Sequence, residues 1–137
     1  MNYNFSNTKM TKKDWASSKY FNPVEFKCPC GCNSHPEDMD YYLVRILTKL
    51  RQKYGPVRVT CGVRCQKYND SLKGSVKNSY HVKHKAADIY IKGICDTEKG
   101  RQELIKYARK WKGFKYAYYN IGGNHPNMGN AVHIEVR

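Results

Sequence analysis

The first strongly periodic stretch of the chain has the spacing of an amphipathic helix. Apolar side chains recur in steps of three and four residues from Met39 to Leu50. Gly55-Pro56 ends the pattern, as Gly and Pro commonly do after a helix. Ser34 or His35 is predicted as the N-cap, followed by Pro36 in the first turn. The pattern predicts one helix that buries its apolar face.

A second helix is predicted from the N-cap Thr97 to the residues before Gly113. Its predicted apolar face is formed by Leu104, Ile105, Ala108 and Trp111. A shorter helix is predicted between Arg64 and Leu72. Four segments rich in β-branched, aromatic and small residues are predicted as strands: 57–60, 86–91, 114–119 and 132–136.

The remaining segments are predicted to be irregular. Residues 1–19 form a polar lead-in, 21–26 an extended segment, 74–79 a polar loop, and 122–130 a loop rich in Gly and Asn. Helices and short strands mix without a regular βαβ alternation, which indicates an α+β fold. We therefore predict one domain over residues 20–137.

Composition and charge restrict the class of protein. The chain has 137 residues, the size of one domain, and its 25 Lys and Arg against 11 Asp and Glu give a formal net charge of +14. No apolar run approaches the roughly 20 residues of a membrane span. Residues 1–15 lack the apolar centre of a signal peptide, so synthesis in the cytoplasm is expected. The charge predicts a polyanionic partner, either nucleic acid, an anionic membrane or an anionic cell-wall polymer.

Three of the six cysteines lie within five residues, in the run Cys28-Pro-Cys30-Gly-Cys32. The spacing differs from the C-x₂-C of a zinc ribbon. The run could share a structural metal ion with Cys61 or Cys65, or form a disulfide. A tight turn with reduced, partly buried thiols is the simpler explanation. The sequence leaves all three possibilities open.

The strongest chemical signal is a set of metal-binding residue types near two predicted strands. His81 and Asp88 lie in and after a loop, and His133 lies on the last predicted strand. Two imidazoles, one carboxylate and an open position for water make up a catalytic zinc site, and zinc lowers the pKa of water to about 7. Taken alone, these residues are better explained as surface histidines and an aspartate at a strand end than as a metal site.

Several motifs in order resemble peptidase family M15, which contains zinc D-Ala-D-Ala carboxypeptidases and phage endolysins. Ser79, His81, Ala86 and Asp88 fit its S-x-H-x-x-G-x-A-x-D signature. Residues 21–32 resemble its F-x-x-x-E-F-x-C-x-C-G-C segment. Residues 59–64 with 68–69 resemble V-T-S-G-Y-R…Y-N, and residues 132–137 resemble the closing strand H-V-D-V-R. The resemblance covers residues 20–137 and implies a mainly antiparallel sheet flanked by helices, as in the D-Ala-D-Ala peptidases and the hedgehog signalling domain.

The resemblance also implies roles for individual residues. His81, Asp88 and His133 would hold one catalytic zinc ion. Arg64 would bind the carboxylate or carbonyl of the substrate and offset developing negative charge, for which its planar guanidinium is suited. Ser79 would bind the substrate by a hydrogen bond or support a ligand.

The sequence departs from the family pattern at two positions. His84 replaces the signature Gly, and His tolerates a left-handed backbone better than most residues. Asn130 replaces an acid that many relatives place three residues before the last histidine, and an amide cannot accept a proton from water. Glu135 is the predicted general base, because residues i and i+2 of a strand share a face and His133 lies two residues earlier. Its alternative role is to orient a ligand. His125 is a weaker candidate for stabilising the oxyanion.

The expected function is zinc-dependent hydrolysis of an amide bond in peptidoglycan peptides. The expected partner is bacterial peptidoglycan, with no nucleic acid, no membrane span and a monomeric state. An enzyme that is encoded by a phage and acts at the bacterial cell wall fits these expected properties. Two alternatives remain, namely a non-catalytic zinc-binding recognition domain of the same fold, and a basic nucleic-acid-binding module.

Overall fold

A computed structural model describes residues 8–72 and 79–137 of the chain. Its α-helices are α1 Lys12–Ser17, α2 Tyr41–Tyr54, α3 Gln66–Ser71 and α4 Glu98–Ala108. Its strands are β1 Arg58–Cys61, β2 Ala86–Tyr90, β3 Phe114–Tyr119 and β4 Val132–Val136. Short 3₁₀ turns occupy Pro23–Phe26, Pro36–Asp38 and Pro126–Met128. In the part of the chain described, no helix has the length and apolar character needed to cross a bilayer.

The four strands form one antiparallel sheet in the order β1-β2-β4-β3, which confirms the α+β prediction. The central strands β2 and β4 are buried along almost their whole length. Their register pairs Asp88 with His133 and Ala86 with Glu135. On the other side of β4, Tyr118 of β3 pairs with His133. The sheet therefore places the residues with candidate chemistry on neighbouring central strands.

The core lies between the sheet and the apolar face of α2. The buried residues of this helix are Leu43, Val44, Ile46, Leu47 and Leu50. Helix α4 adds Leu104, Ile105 and Ala108 to the same cluster. Burying one such aliphatic side chain stabilises the fold by about 1.5–3 kcal/mol. The two predicted apolar faces are thus confirmed, except that Trp111 lies beyond the last residue of α4.

The start of the first helix was predicted wrongly. Helix α2 begins at Tyr41, and Asp40 is its N-cap through hydrogen bonds to Oδ1 from the amides of Tyr42 and Leu43, at 2.8 and 3.3 Å. The predicted cap His35 adopts a left-handed φ of 54° and begins a separate 3₁₀ turn. Met39, with ψ near 146°, separates that turn from the helix. The carboxylate of Asp40 can accept both amides, and this decides where the helix starts.

Two further expectations change. Residues 21–26 are not fully extended, because Pro23–Phe26 forms a 3₁₀ turn in which Glu25 accepts a hydrogen bond from the Asn22 amide at 2.9 Å. The polar lead-in contains α1, whose N-terminal end is set by a capping box between Thr11 and Asp14. Of the predicted loop 74–79, residues 74–78 lie outside the described residues. The domain boundary at residue 20 stays a prediction.

A buried ion pair joins the start of α2 to β2. Lys85 Nζ lies 2.8 Å from Asp40 Oδ2, and both side chains are almost fully buried. Lys85→Met is expected to lower the free energy of unfolding by about 3–5 kcal/mol, because it leaves the Asp40 carboxylate buried without its partner. Urea denaturation measures this, with the exposed Lys83→Met as a control expected to change stability by less than about 0.5 kcal/mol. Equal stability of the two variants would contradict the prediction.

Candidate metal centre

Three of the residues predicted as metal ligands come together on the sheet. Asp88 lies on β2 and His133 opposite it on β4, while His81 lies in the turn before β2. Asp88 Oδ1 is 2.9 Å from His133 Nδ1 and 3.4 Å from His81 Nε2. The two imidazole rings meet edge to face, with centroids 5.0 Å apart. All three side chains are buried, so their donor atoms are shielded from bulk water.

The orientation of His81 is set by its neighbours. Its Nδ1 donates a hydrogen bond to the Gly62 carbonyl at 2.7 Å, which leaves Nε2 on the side of Asp88. The Ser79 hydroxyl, buried in the same turn, accepts a hydrogen bond from the His81 amide at 3.1 Å. A hydrogen bond from the second ring nitrogen, such as that from His81 Nδ1 to the Gly62 carbonyl, fixes the tautomer of a metal-binding histidine. The observed contact of Ser79 supports His81, and its substrate-binding role stays a prediction.

The donor set fits a zinc ion. Zn–N and Zn–O bonds of about 2.0–2.1 Å place tetrahedral ligand atoms about 3.3–3.4 Å apart. The separations of 2.9 and 3.4 Å from Asp88 Oδ1 lie near that value. A sulfur donor is also close, because single donor atoms of Cys61, His81 and Asp88 all lie within 4.8 Å of one another. Two imidazoles and a carboxylate are ligand types that suit zinc. The group of mutually close donors contains Cys61, which the sequence analysis did not assign to this centre, and His133 adjoins that group through its contact with Asp88.

Electrostatics within the centre favour an ionised carboxylate beside a protonated imidazole when no metal ion is bound. Burial acts to raise the pKa of Asp88, but hydrogen bonds from His133 and His81 outweigh it and hold that pKa well below its usual range. Burial acts to lower the pKa of His81, but hydrogen bonds to Asp88 and Cys61 raise it to about 9. A metal ion would therefore meet a carboxylate ready to bind and an imidazole that must first lose a proton.

Glu135 lies on the far side of His133 from Asp88. Its Oε1 is 2.8 Å from His133 Nε2, and its Oε2 is 3.2 Å from Lys115 Nζ. Burial acts to raise the pKa of Glu135, but His133 and Lys115 outweigh it and lower that pKa. Glu135 is therefore ionised at neutral pH, as a proton acceptor must be. Glu135 contacts Nε2, on the other side of the ring from the Nδ1 that faces Asp88, which suits a carboxylate that orients His133, and its role as general base stays a prediction.

Arg64 is connected to His81 through Cys61. Its Nε donates to Cys61 Sγ at 3.3 Å, and Cys61 Sγ lies 3.8 Å from His81 Nδ1. Its Nη1 donates to the side-chain oxygen of the fully buried Asn69 at 3.2 Å. These contacts hold the guanidinium in one place beside the centre.

Two residues of the centre escaped the sequence analysis besides Cys61. The ring of Tyr118 stacks on His133 with a centroid distance of 4.3 Å and an interplanar angle of 20°. Desolvation and the charges of Asp88 and Glu135 raise the pKa of Tyr118 to about 12, so its hydroxyl keeps its proton. Lys115 lies on the same strand and pairs with Glu135. In an ideal strand the side chains of Lys115 and Tyr118 would point to opposite faces of the sheet. The strand pattern alone therefore could not have predicted that both lie at this centre.

The remaining candidates occupy the periphery. His84 has the left-handed φ of 65° expected of the glycine it replaces, and its Nε2 contacts the Ser34 carbonyl at 2.9 Å. Asn130 is exposed and lies 3.5 Å from Nη1 of Arg101. His125 is exposed too, and its ring lies 4.6 Å from that of Tyr118, so its predicted oxyanion role stays a prediction.

Buried histidine and carboxylate donors on the central strands define a candidate metallohydrolase centre. The sequence model of the Peptidase M15 family matches residues 19–134. The chain therefore belongs to peptidase family M15 and is a peptidase, as its motifs predicted. Comparison with curated proteins and with solved structures gave no match.

Proposed function

We propose that the protein is a zinc-dependent peptidase that hydrolyses an amide bond in the peptide part of bacterial peptidoglycan. The observation that carries this proposal is the convergence of His81 Nε2 and His133 Nδ1 on Asp88 Oδ1. A zinc ion bound there would polarise a carbonyl and make water acidic enough to react at neutral pH. Family membership supports the peptide substrate, and the cell-wall substrate rests on the motif resemblance.

The protein's own residues supply the remaining steps of amide hydrolysis. Asp88, His81 and His133 hold the metal ion. Glu135, ionised beside His133, accepts the proton that the attacking water loses and returns it to the departing amine. Arg64, held by Cys61 and Asn69, donates hydrogen bonds to a carboxylate or carbonyl oxygen of the substrate. The amide bond breaks to give one carboxylate and one amine.

The proposal is tested by digesting purified peptidoglycan and soluble stem peptides, and by identifying the products by mass spectrometry. Zinc-loaded protein is expected to release a new carboxylate and a new amine at a single type of bond. A chelator should stop the reaction, and added zinc should restore it. Binding of peptidoglycan without hydrolysis would instead favour the non-catalytic zinc domain, and hydrolysis that survives complete zinc removal would contradict a zinc enzyme.

Zinc affinity at this centre is expected to depend on pH. Without metal, the pKa of His81 is raised to about 9, so at pH 7 the ion must displace a proton. Asp88, with its lowered pKa, is ionised throughout and contributes no such dependence. Apparent affinity should therefore rise by about tenfold per pH unit from pH 7 to 9 and level off above pH 9. Titration of the wild type in chelator-buffered zinc at pH 7, 8 and 9 measures it, and equal affinity at pH 7 and pH 9 would contradict the expectation.

The net charge of +14 is expected to act as a tether to the anionic cell wall. Lysis of whole walls should fall several-fold as salt rises past about 0.15 M, where the Debye length is roughly 8 Å. Cleavage of a small soluble peptide is the control and should change little, because no extended polyanion is involved. If both activities fall together, the charge does not act as a tether.

A further inference from the structure

The run of three cysteines, Cys28, Cys30 and Cys32, comes together with the distant Cys65 on the side of the molecule that carries the 3₁₀ turn Pro23–Phe26. The Sγ atoms of Cys28, Cys30, Cys32 and Cys65 all lie within 4.8 Å of one another. Cys28 Sγ is 3.4 Å from Cys30 Sγ, which is 3.6 Å from Cys65 Sγ. We call this group the four-cysteine cluster. The sequence left open whether Cys61 or Cys65 would join the run, and the fold places Cys65 there and Cys61 beside His81.

The sulfur separations are those of a metal site and not of a disulfide. Zn–S bonds of about 2.3 Å place the sulfurs of a tetrahedral site about 3.8 Å apart. A disulfide needs a separation of about 2.05 Å. All six cysteines are free thiols. The cluster therefore has the ligand number, ligand type and spacing of a closed tetrathiolate site.

The local backbone directs these sulfurs to one point. Gly31, with φ of 82°, turns the chain between Cys30 and Cys32, and its amide donates to the Cys28 carbonyl at 3.2 Å. The Cys65 amide donates to Cys28 Sγ at 3.4 Å, and the Tyr68 amide donates to Cys65 Sγ at 3.3 Å. Zinc binds the thiolate form of cysteine, and these two hydrogen bonds fix the positions of the sulfurs of Cys28 and Cys65. They also hold both segments in place before a metal ion arrives.

We propose that the four-cysteine cluster binds a second zinc ion, which is structural. Four thiolates complete a tetrahedral shell and leave no position for water, so this ion takes no part in hydrolysis. It joins residues 28–32 to the segment after β1, which is already linked to the same region by a hydrogen bond from the Val63 amide to the Phe26 carbonyl at 2.8 Å. That segment carries Arg64 and the Gly62 carbonyl that orients His81. The second ion thus supports the catalytic centre from outside it.

Metal analysis of the full-length protein, purified with zinc and a non-thiol reductant, tests the proposal. The wild type is expected to hold two equivalents of zinc, and Cys30→Ser/Cys65→Ser one. Cys95→Ser is the matched control, since Cys95 is a buried thiol outside the cluster whose sulfur accepts a hydrogen bond from the Ile91 amide, which a hydroxyl can also accept. It should keep both equivalents. His81→Ala/His133→Ala should lose the other equivalent and keep the thiolate-bound one, so failure of the proposed peptidase centre and failure of the cluster are distinguishable.

Thiol reactivity gives a readout that does not depend on whether a variant folds. Cys30 is exposed, so without zinc it should react readily with a thiol reagent. In the zinc-loaded wild type this thiol is expected to react at least about tenfold more slowly until a chelator is added. Immediate reaction of Cys30 in zinc-loaded protein would overturn the proposal. So would equal zinc content in wild type and Cys30→Ser/Cys65→Ser.

Discussion

Asp88→Ala is expected to abolish peptide hydrolysis together with zinc binding at the histidine–aspartate centre. One oxygen of Asp88 contacts both His133 and His81, so its removal takes away a ligand and the group that holds the other two in position. Metal assistance supplies several kcal/mol of transition-state stabilisation, and each 1.4 kcal/mol is a factor of ten in rate. The loss in kcat/KM should therefore be at least about 10³-fold.

Thermal unfolding separates this loss from simple misfolding. When the four-cysteine cluster already holds zinc, further zinc at about 1,000 times the Kd of the histidine–aspartate centre should stabilise the wild type by about 4 kcal/mol and should not stabilise Asp88→Ala. Asp70→Ala is the control, because Asp70 is an exposed aspartate on α3 whose side chain accepts a hydrogen bond from Gln66. It is expected to keep full activity and the full response to zinc. An Asp88→Ala protein that still hydrolyses peptide would contradict the assignment of the centre.

Elements with clear local signals were predicted well. Strands β3 and β4 begin and end at the predicted residues, and α4 starts after its predicted cap Thr97. In each case the pattern of residue types and the flanking Gly or Thr agree with one another. The start of α2 was missed because two capping signals compete, and only the packing around buried Asp40 decides between them.

The candidate ligands could be found from the motif, but their surroundings could not. The motif places His81 and Asp88 seven residues apart, whereas the contact between Asp88 and His133 depends on which strands pair and in what register. The register between β3 and β4 likewise brings Tyr118 beside His133. No local pattern encodes a register between strands that are distant in sequence. For the same reason the sequence could not choose between Cys61 and Cys65 as partners of the cysteine run.

Glu135→Gln is expected to lower kcat by about 10²–10⁴-fold while zinc binding persists, because the general base is lost and the ligands remain. Glutamine separates the two roles, because its side-chain oxygen can still accept a hydrogen bond from His133 Nε2 but cannot take up a proton. The orientation of His133 is thereby kept, and only the proton acceptor is removed. Zinc affinity and kcat are therefore measured on the same variant.

The alternative role of Glu135, orienting His133, predicts different effects on zinc affinity and on kcat. If the carboxylate serves only to orient His133, Glu135→Ala, which removes the hydrogen-bond acceptor, should weaken zinc binding by about 10–100-fold, and saturating zinc should restore its activity. Lys115→Met is the matched control, because it leaves Glu135 in place and removes one of the contacts that lower its pKa. With Glu135 as base, the acid limb of the pH–rate profile of Lys115→Met should move to higher pH, since the pKa of Glu135 rises when the lysine is lost. Full activity of Glu135→Gln at saturating zinc, with an unchanged acid limb in Lys115→Met, would assign the proton transfer to another group.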